Sequence, residues 1–171
     1  MSAHDEACAL IGDLAVLVHE LGERALPGDL PVDNTRGRFD RIYRFGEPLF
    51  HLAIATGLAC EGLALTAADR APLVEIAHSF TLDLVLARCT RVFDYIGYEY
   101  GSFYGVQAWS ELVVCMSAFT FLRELAPSAP DPGELAELLE RWGGELYYDA
   151  LEVPDGMPSR HWWWFAAGPP A

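Results

Sequence analysis

Two long segments of this chain are apolar on most sides if they are helical. From Leu73 toward Tyr98, the residues Leu73, Ile76, Phe80, Leu84, Val85 and Val92 lie almost all round a helical circumference. Between Ser102 and Leu125, Trp109, Leu112, Val113, Met116, Phe119 and Leu122 do the same. Helices that are apolar on most sides must be enclosed by other elements. In a water-soluble chain they belong at the middle of a bundle, and the other segments must be amphipathic enough to cover them.

A bilayer would be another way to enclose such segments, but the two most apolar stretches argue against it. Leu49 to Leu65 carries His51 and Glu61, and Phe103 to Leu122 carries Gln107 and Glu111. Ionisable groups at such positions are costly in a membrane span. The first residues, Met1 to Glu6, are acidic where a secretory signal needs positive charge, so a cytoplasmic location is expected. The four cysteines, Cys8, Cys60, Cys89 and Cys115, form no C-x-x-C pair and are expected to be free, buried thiols in a reducing compartment. Lysine is absent and every basic side chain is arginine, as in GC-rich bacterial genomes.

The covering elements follow from periodicity and punctuation. Over residues 4 to 25, Leu10, Ile11, Leu14, Leu17, Val18 and Leu21 form a stripe with Glu6, Asp13, Glu20 and Glu23 away from it, which predicts an amphipathic first helix. Turn formers from Leu26 to Asn34 end it. Arg36, Arg38, Arg41 and Arg44 surround Phe39, Ile42 and Tyr43 on a short second helix expected to stop near Gly46. Pro48 suits the first turn of a third helix reaching Leu65, in which Gly57 and Gly62 weaken the helix or mark close packing. Thr66 and Asp69 resemble a capping box, which predicts that one long fourth helix starts there and runs toward Tyr98.

Gly97, Gly101 and Gly105 either break this helix or permit close backbone approach; a break near Gly101 is expected, with the fifth helix antiparallel to the fourth. Pro127, Pro130 and Pro132 end the fifth helix. Asp131 is then placed to cap a sixth with Pro132 at its first position and Gly143 and Gly144 closing it. Leu135, Leu138, Leu139 and Trp142 form its apolar stripe. Together these elements predict an all-α, single-domain helical bundle of five to six helices over residues 1–145, followed by an irregular aromatic tail over 146–171. A short strand is expected at 145–148.

Charge bears most directly on function. The net charge is −14, and residues 131–155 carry eight acids against the single Arg141. Such a field repels nucleic acid and anionic membranes and speeds encounter with basic partners. No nucleic acid or membrane partner is expected; a protein with a basic surface is. The arginines at 36, 38, 41 and 44 suit either a phosphate or carboxylate ligand or this chain's own acids.

Catalytic signatures are sparse. G-x-S-x-G, G-x-x-x-x-G-K-[ST] and G-x-G-x-x-G are all missing, so no catalytic residue and no cofactor is expected. Glu75-x-x-His78 has the spacing of a helical metal-ligand pair, and Glu47 and His51 are four apart. A helical-bundle enzyme using these four around a metal or small ligand is the alternative, set against plain surface ion pairs or a core histidine.

Aromatic side chains occur in two blocks. The stretch from Phe93 to Tyr100 mixes rings with Asp94 and Glu99, suiting either a basic partner or a helix end packed in the core. The other block is Arg160-His161-Trp162-Trp163-Trp164-Phe165. Three adjacent tryptophans cannot face one way on a strand. Either the tail is pinned between two surfaces, or some rings are left as anchors for a partner.

Acidic surface, aromatic anchors and missing catalytic motifs favour a non-catalytic protein-binding module of immunity or antitoxin type, an inhibitor of a toxin protein. Its expected contact residues are Glu134, Glu137, Glu140, Tyr147, Tyr148, Asp149, Glu152, Asp155, His161, Trp162, Trp163 and Trp164. A structural homodimer built on exposed apolar surface of the central helices is a further alternative.

Overall fold

The computed structural model describes residues 1–27, 36–100, 105–142 and 151–165. Within these, the chain forms α1 (Ala3–Gly22), α2 (Arg36–Cys60), α3 (Ala67–Val74), α4 (Phe80–Tyr100), α5 (Gly105–Leu125) and α6 (Gly133–Trp142). A 3-10 turn follows at Trp162–Trp164. The protein is an all-helical bundle closed at its C-terminal end by this turn, with no strand among the described residues. The strand expected at 145–148, the closing Gly143 and Gly144 and the break at Gly101 lie outside the described residues.

Local signals set the ends of α1, α3 and α6. Ser2 caps α1 and Thr66 caps α3, each in a reciprocal box with the aspartate three residues on, Asp5 and Asp69. For α6, Asp131 Oδ1 accepts from the Gly133 N–H at 3.0 Å. On α1, Ile11, Leu14, Val18 and Leu21 are buried while Asp13 and Glu20 face water, as the periodicity predicts.

Two helix boundaries differ from those expected. The short second helix and the third are one continuous α2, with Pro48 inside it. A proline within a helix costs about 3 kcal/mol because it lacks the N–H and crowds the preceding turn. Pro48 faces solvent, however, while Ile42 and Tyr43 before it and Leu49, Phe50 and Ala53 after it share one buried face. Keeping that face continuous outweighs the local cost. Gly46, expected to stop a helix, instead makes room for Phe50, whose ring lies 2.5 Å from where a Cβ would stand.

The second difference is that the long fourth helix is interrupted. After α3, hydrogen-bonded turns carry the chain over residues 75–78, and Ser79 Oγ accepts from the Leu82 N–H at 3.4 Å to begin α4 anew. Serine competes well for a free N–H at a helix start, so a break there loses little.

Helix α5 is buried on nearly every side and forms the centre of the bundle. It was expected to pair with α4, but its most extensive neighbour is α2, and it touches α4 more sparsely. The reason is local. Gly57 lets the α2 backbone rest on Phe121 of α5, and the rings of Phe50 and Phe119 meet at 5.9 Å between centroids. Helix α6 leans on both α4 and α5. Trp142 takes the space over Gly97 that a side chain would fill, so Gly97 serves close approach. No helix among the described residues is long and apolar enough to cross a membrane.

The Gly57 contact is testable. A Cβ there would stand 2.2 Å from the Phe121 ring. Overpacking costs about 1–3 kcal/mol, while replacing glycine by alanine in a helix returns up to about 1 kcal/mol. Gly57→Ala should therefore lower stability in urea denaturation; an unchanged or higher midpoint would refute this packing.

Candidate functional site

The tail is docked on the bundle. Three adjacent tryptophans on a strand would alternate in direction, but here they occupy a 3-10 turn, with Trp164 N–H bonded to His161 C=O and Phe165 N–H to Trp162 C=O. That geometry brings two indoles round to one atom. The N–H groups of Trp163 and Trp164 each donate to Ser117 Oγ at 2.8 Å, and His161 Nδ1 lies 2.9 Å from the same oxygen. Ser117 sits on α5, and both it and His161 are fully buried.

Hydrogen-bond accounting fixes the protons. A serine hydroxyl has one hydrogen and two lone pairs. Both lone pairs are taken by indole donors, so the hydroxyl proton points at His161 Nδ1, and the neutral imidazole carries its own proton on Nε2. Among the described residues Nε2 has no partner. The ring is clasped by Phe121, 4.2 Å away between centroids, and by Trp163 at 4.9 Å.

A serine next to a histidine resembles an activated nucleophile, but this pair is built for structure. The serine oxygen has no lone pair left to attack with, and neither group reaches solvent. Burial pushes the His161 pKa down to about 4, with Glu124 and Glu61 opposing that shift and Arg160 adding to it.

Next to this cluster, Arg160 ties the tail to two helix ends. It donates from Nε and Nη2 to Glu124 at 2.7 and 2.9 Å, near the end of α5, and also pairs with Glu61, just beyond α2. The bidentate geometry suits a guanidinium fork.

The remaining predicted site residues fall into three groups. Glu134, Glu137 and Glu140 are exposed on α6, opposite the buried Leu135, Leu138 and Leu139. Glu152 and Asp155 are exposed on the tail. None of these five forms an ion pair among the described residues. Beside the first two glutamates a surface groove of about 400 Å³ is also lined by Arg91, Asp94 and Arg141, and Arg141 bridges to Asp94 of α4 at 3.2 Å. In contrast, His161, Trp163 and Trp164 of the expected contact set are turned into the core; of the three tryptophans only Trp162 is half-exposed. Tyr147, Tyr148 and Asp149 lie outside the described residues.

The metal alternative is not assembled. Glu47 and His51 make an exposed pair at 3.5 Å on α2, and Glu75 and His78 are exposed beyond α3. The one grouping of three metal-type ligands among the described residues is elsewhere, at His4, Cys8 and Asp69. Of the arginine cluster, Arg41 and Arg44 are exposed on α2, and the side chains of Arg36 and Arg38 lie outside the described residues. Phe93 and Ile96 of the aromatic stretch are buried and Asp94 is exposed, while the side chains of residues 98–100 lie outside the described residues. Among the described residues the large apolar side chains left exposed are Met1 ahead of α1, Val16 on α1, Val74 at the end of α3 and Phe80 at the first residue of α4, not along the middle of the central helices. No protein-family model, curated protein or solved structure matches this chain.

Sequence reasoning did not find Ser117. Its only signal is a hydroxyl in an otherwise apolar run, which identifies no partner.

Two outcomes follow. Ser117→Ala strips the acceptor from two buried indole donors at about 1–3 kcal/mol each. It should destabilise the protein by roughly 2–5 kcal/mol in chemical denaturation followed by tryptophan fluorescence; a loss under about 1 kcal/mol would contradict the three-bond network.

The second outcome concerns acid. His161 binds its proton in the unfolded chain near its ordinary value of 6.5 but in the folded protein only near 4. Its contribution is complete above the higher value and lost as pH falls through this window, for a total of up to about 3 kcal/mol. His161→Asn, which keeps an acceptor for Ser117 but cannot titrate, should flatten the stability profile between those pH values relative to wild type. Parallel profiles would rule the histidine out as the cause.

Proposed function

We propose that this protein is a non-catalytic binding module of the immunity or antitoxin type. In this reading it is a bacterial cytoplasmic inhibitor whose acidic surface occupies the cationic working face of a toxin protein. The observation that carries it is the row Glu134, Glu137 and Glu140, exposed along one side of α6 and without an ion pair among the described residues. The row lies on the solvent face opposite the buried leucines, where its charge is open to a partner outside the chain. Glu152 and Asp155 add exposed negative charge, and the half-exposed Trp162 adds an aromatic surface.

An acidic inhibitor works by electrostatic mimicry. A toxin that handles phosphates presents lysines and arginines, and carboxylates at helical spacing can pair with them while long-range attraction raises the encounter rate. The docked tail supports this role indirectly, because Arg160 and the Ser117 cluster hold the bundle's end rigid.

The test is genetic and kinetic. A basic toxin-domain protein encoded next to this chain should arrest growth when expressed alone and be neutralised by co-expression. The combined variant Glu134→Arg, Glu137→Arg and Glu140→Arg should lose protection and slow association by about tenfold or more at low salt. Full protection by that variant, or a neighbouring product that is neither basic nor toxic, would overturn the reading.

A further inference from the structure

The first two turns of α1 and the first turn of α3 meet at three side chains of different metal-binding chemistry. His4 and Cys8 are four residues apart, hence on one face of α1, and Asp69 comes from α3. Their donor atoms all lie within 4.8 Å of one another. His4 Nε2 is 3.1 Å from Asp69 Oδ2, Cys8 Sγ is 3.6 Å from Asp69 Oδ1, and Sγ is 3.8 and 3.9 Å from the two His4 ring nitrogens.

Those separations can be compared with what an ion requires. Bonds of about 2.0 Å to nitrogen and oxygen and about 2.3 Å to sulfur, at tetrahedral angles, put donor atoms about 3.3–3.6 Å apart. The Cys8 separations lie close to that range, whereas His4 meets Asp69 through Oδ2, so its ring must turn toward Oδ1 for all three side chains to share one ion. We propose that His4, Cys8 and Asp69 form a binding site for a zinc-class divalent transition metal, which clamps α1 to α3 and leaves a fourth position open to water.

The donor set selects the metal. An imidazole, a thiolate and a carboxylate suit zinc or cobalt, whereas calcium and magnesium require oxygen ligands throughout. The carboxylate is also held in advance. Asp69 Oδ2 accepts from the Thr66 N–H and Oγ1, both at 2.8 Å, and lies 3.1 Å from His4 Nε2, while Oδ1, among the described residues, accepts only from the Cys8 thiol that an ion would replace. A ligand fixed through its second oxygen is the usual support of a metal site. The positive ends of two helices oppose a cation here, but the Asp69 carboxylate and the Cys8 thiolate, formed as the ion displaces the thiol proton to solvent, would provide two negative charges at contact distance. Access is open, since His4 is exposed and Cys8 and Asp69 are half-buried. This site is independent of the acidic face of α6.

Cobalt substitution tests the assignment. Purified full-length chain, stripped with a chelator, should bind one equivalent of Co²⁺ with a thiolate-to-cobalt charge-transfer band and intense tetrahedral bands in the visible, all displaced by Zn²⁺. Cys8→Ser should lose the charge-transfer band, and His4→Gln, an exposed change that spares the fold, should weaken binding by at least about tenfold. Cys60→Ser is the control, because that thiol lies near enough to Cys8 to feel its charge; it should retain the spectrum and the rise in Tm on adding zinc. A missing band in wild type, a band that survives Cys8→Ser, or one abolished by Cys60→Ser would each overturn the proposal.

Discussion

Helix α5 gives almost none of its middle to water. Along it Trp109, Leu112, Val113, Cys115, Met116, Ala118, Phe119, Phe121 and Leu122 are all buried, so other elements must close over it from every direction. Helix α2 supplies the largest cover, seated on Phe121 through the bare backbone of Gly57. Helices α3, α4 and α6 add smaller contacts. The hydroxyl of Ser117 is also buried on this helix and needs partners of its own. A buried hydroxyl without them costs more than the hydrogen bond it would otherwise contribute. The tail answers that need with two indole donors and one imidazole acceptor.

Proximity alone would have assigned this cluster a different role. A serine 2.9 Å from a histidine invites a catalytic interpretation, but counting donors and lone pairs shows an oxygen whose capacity is used up. The same tail draws on two of the chain's many acids, since Arg160 binds both Glu61 and Glu124. Among the described residues the carboxylates of α6 form no ion pair, and this contrast between employed and unemployed charge underlies the proposed binding role.

Much of the architecture was legible from local signals. The capping boxes at Ser2 and Thr66, the turn at Asp131 and the stripe of α1 each act within a few residues, where spacing and hydrogen-bonding chemistry can be read directly. The boundaries of α2 and α4 were not legible in this way. Pro48 and Gly46 read as stop signals until the shared buried face of α2 is known, and Ser79 gives no warning in a run whose apolar period continues past it. The partner-binding set divided for a related reason. Exposed glutamates follow from helical phase, whereas the direction of Trp163 and Trp164 depends on a tight turn and on an acceptor more than forty residues away.

Sequence by itself determined that this chain is helical, that the segment around Trp109 to Leu122 lies at its centre, and that its charge is strongly negative. Period, composition and caps are properties of neighbours along the chain. Tertiary structure alone decided that α2 runs unbroken, that α5 leans on α2, that the tail locks onto Ser117, and that His4 and Cys8 meet an aspartate more than sixty residues away. Each of these rests on contacts between distant segments. Their energies depend on shape and on the pairing of buried polar atoms, which no local pattern in the sequence records.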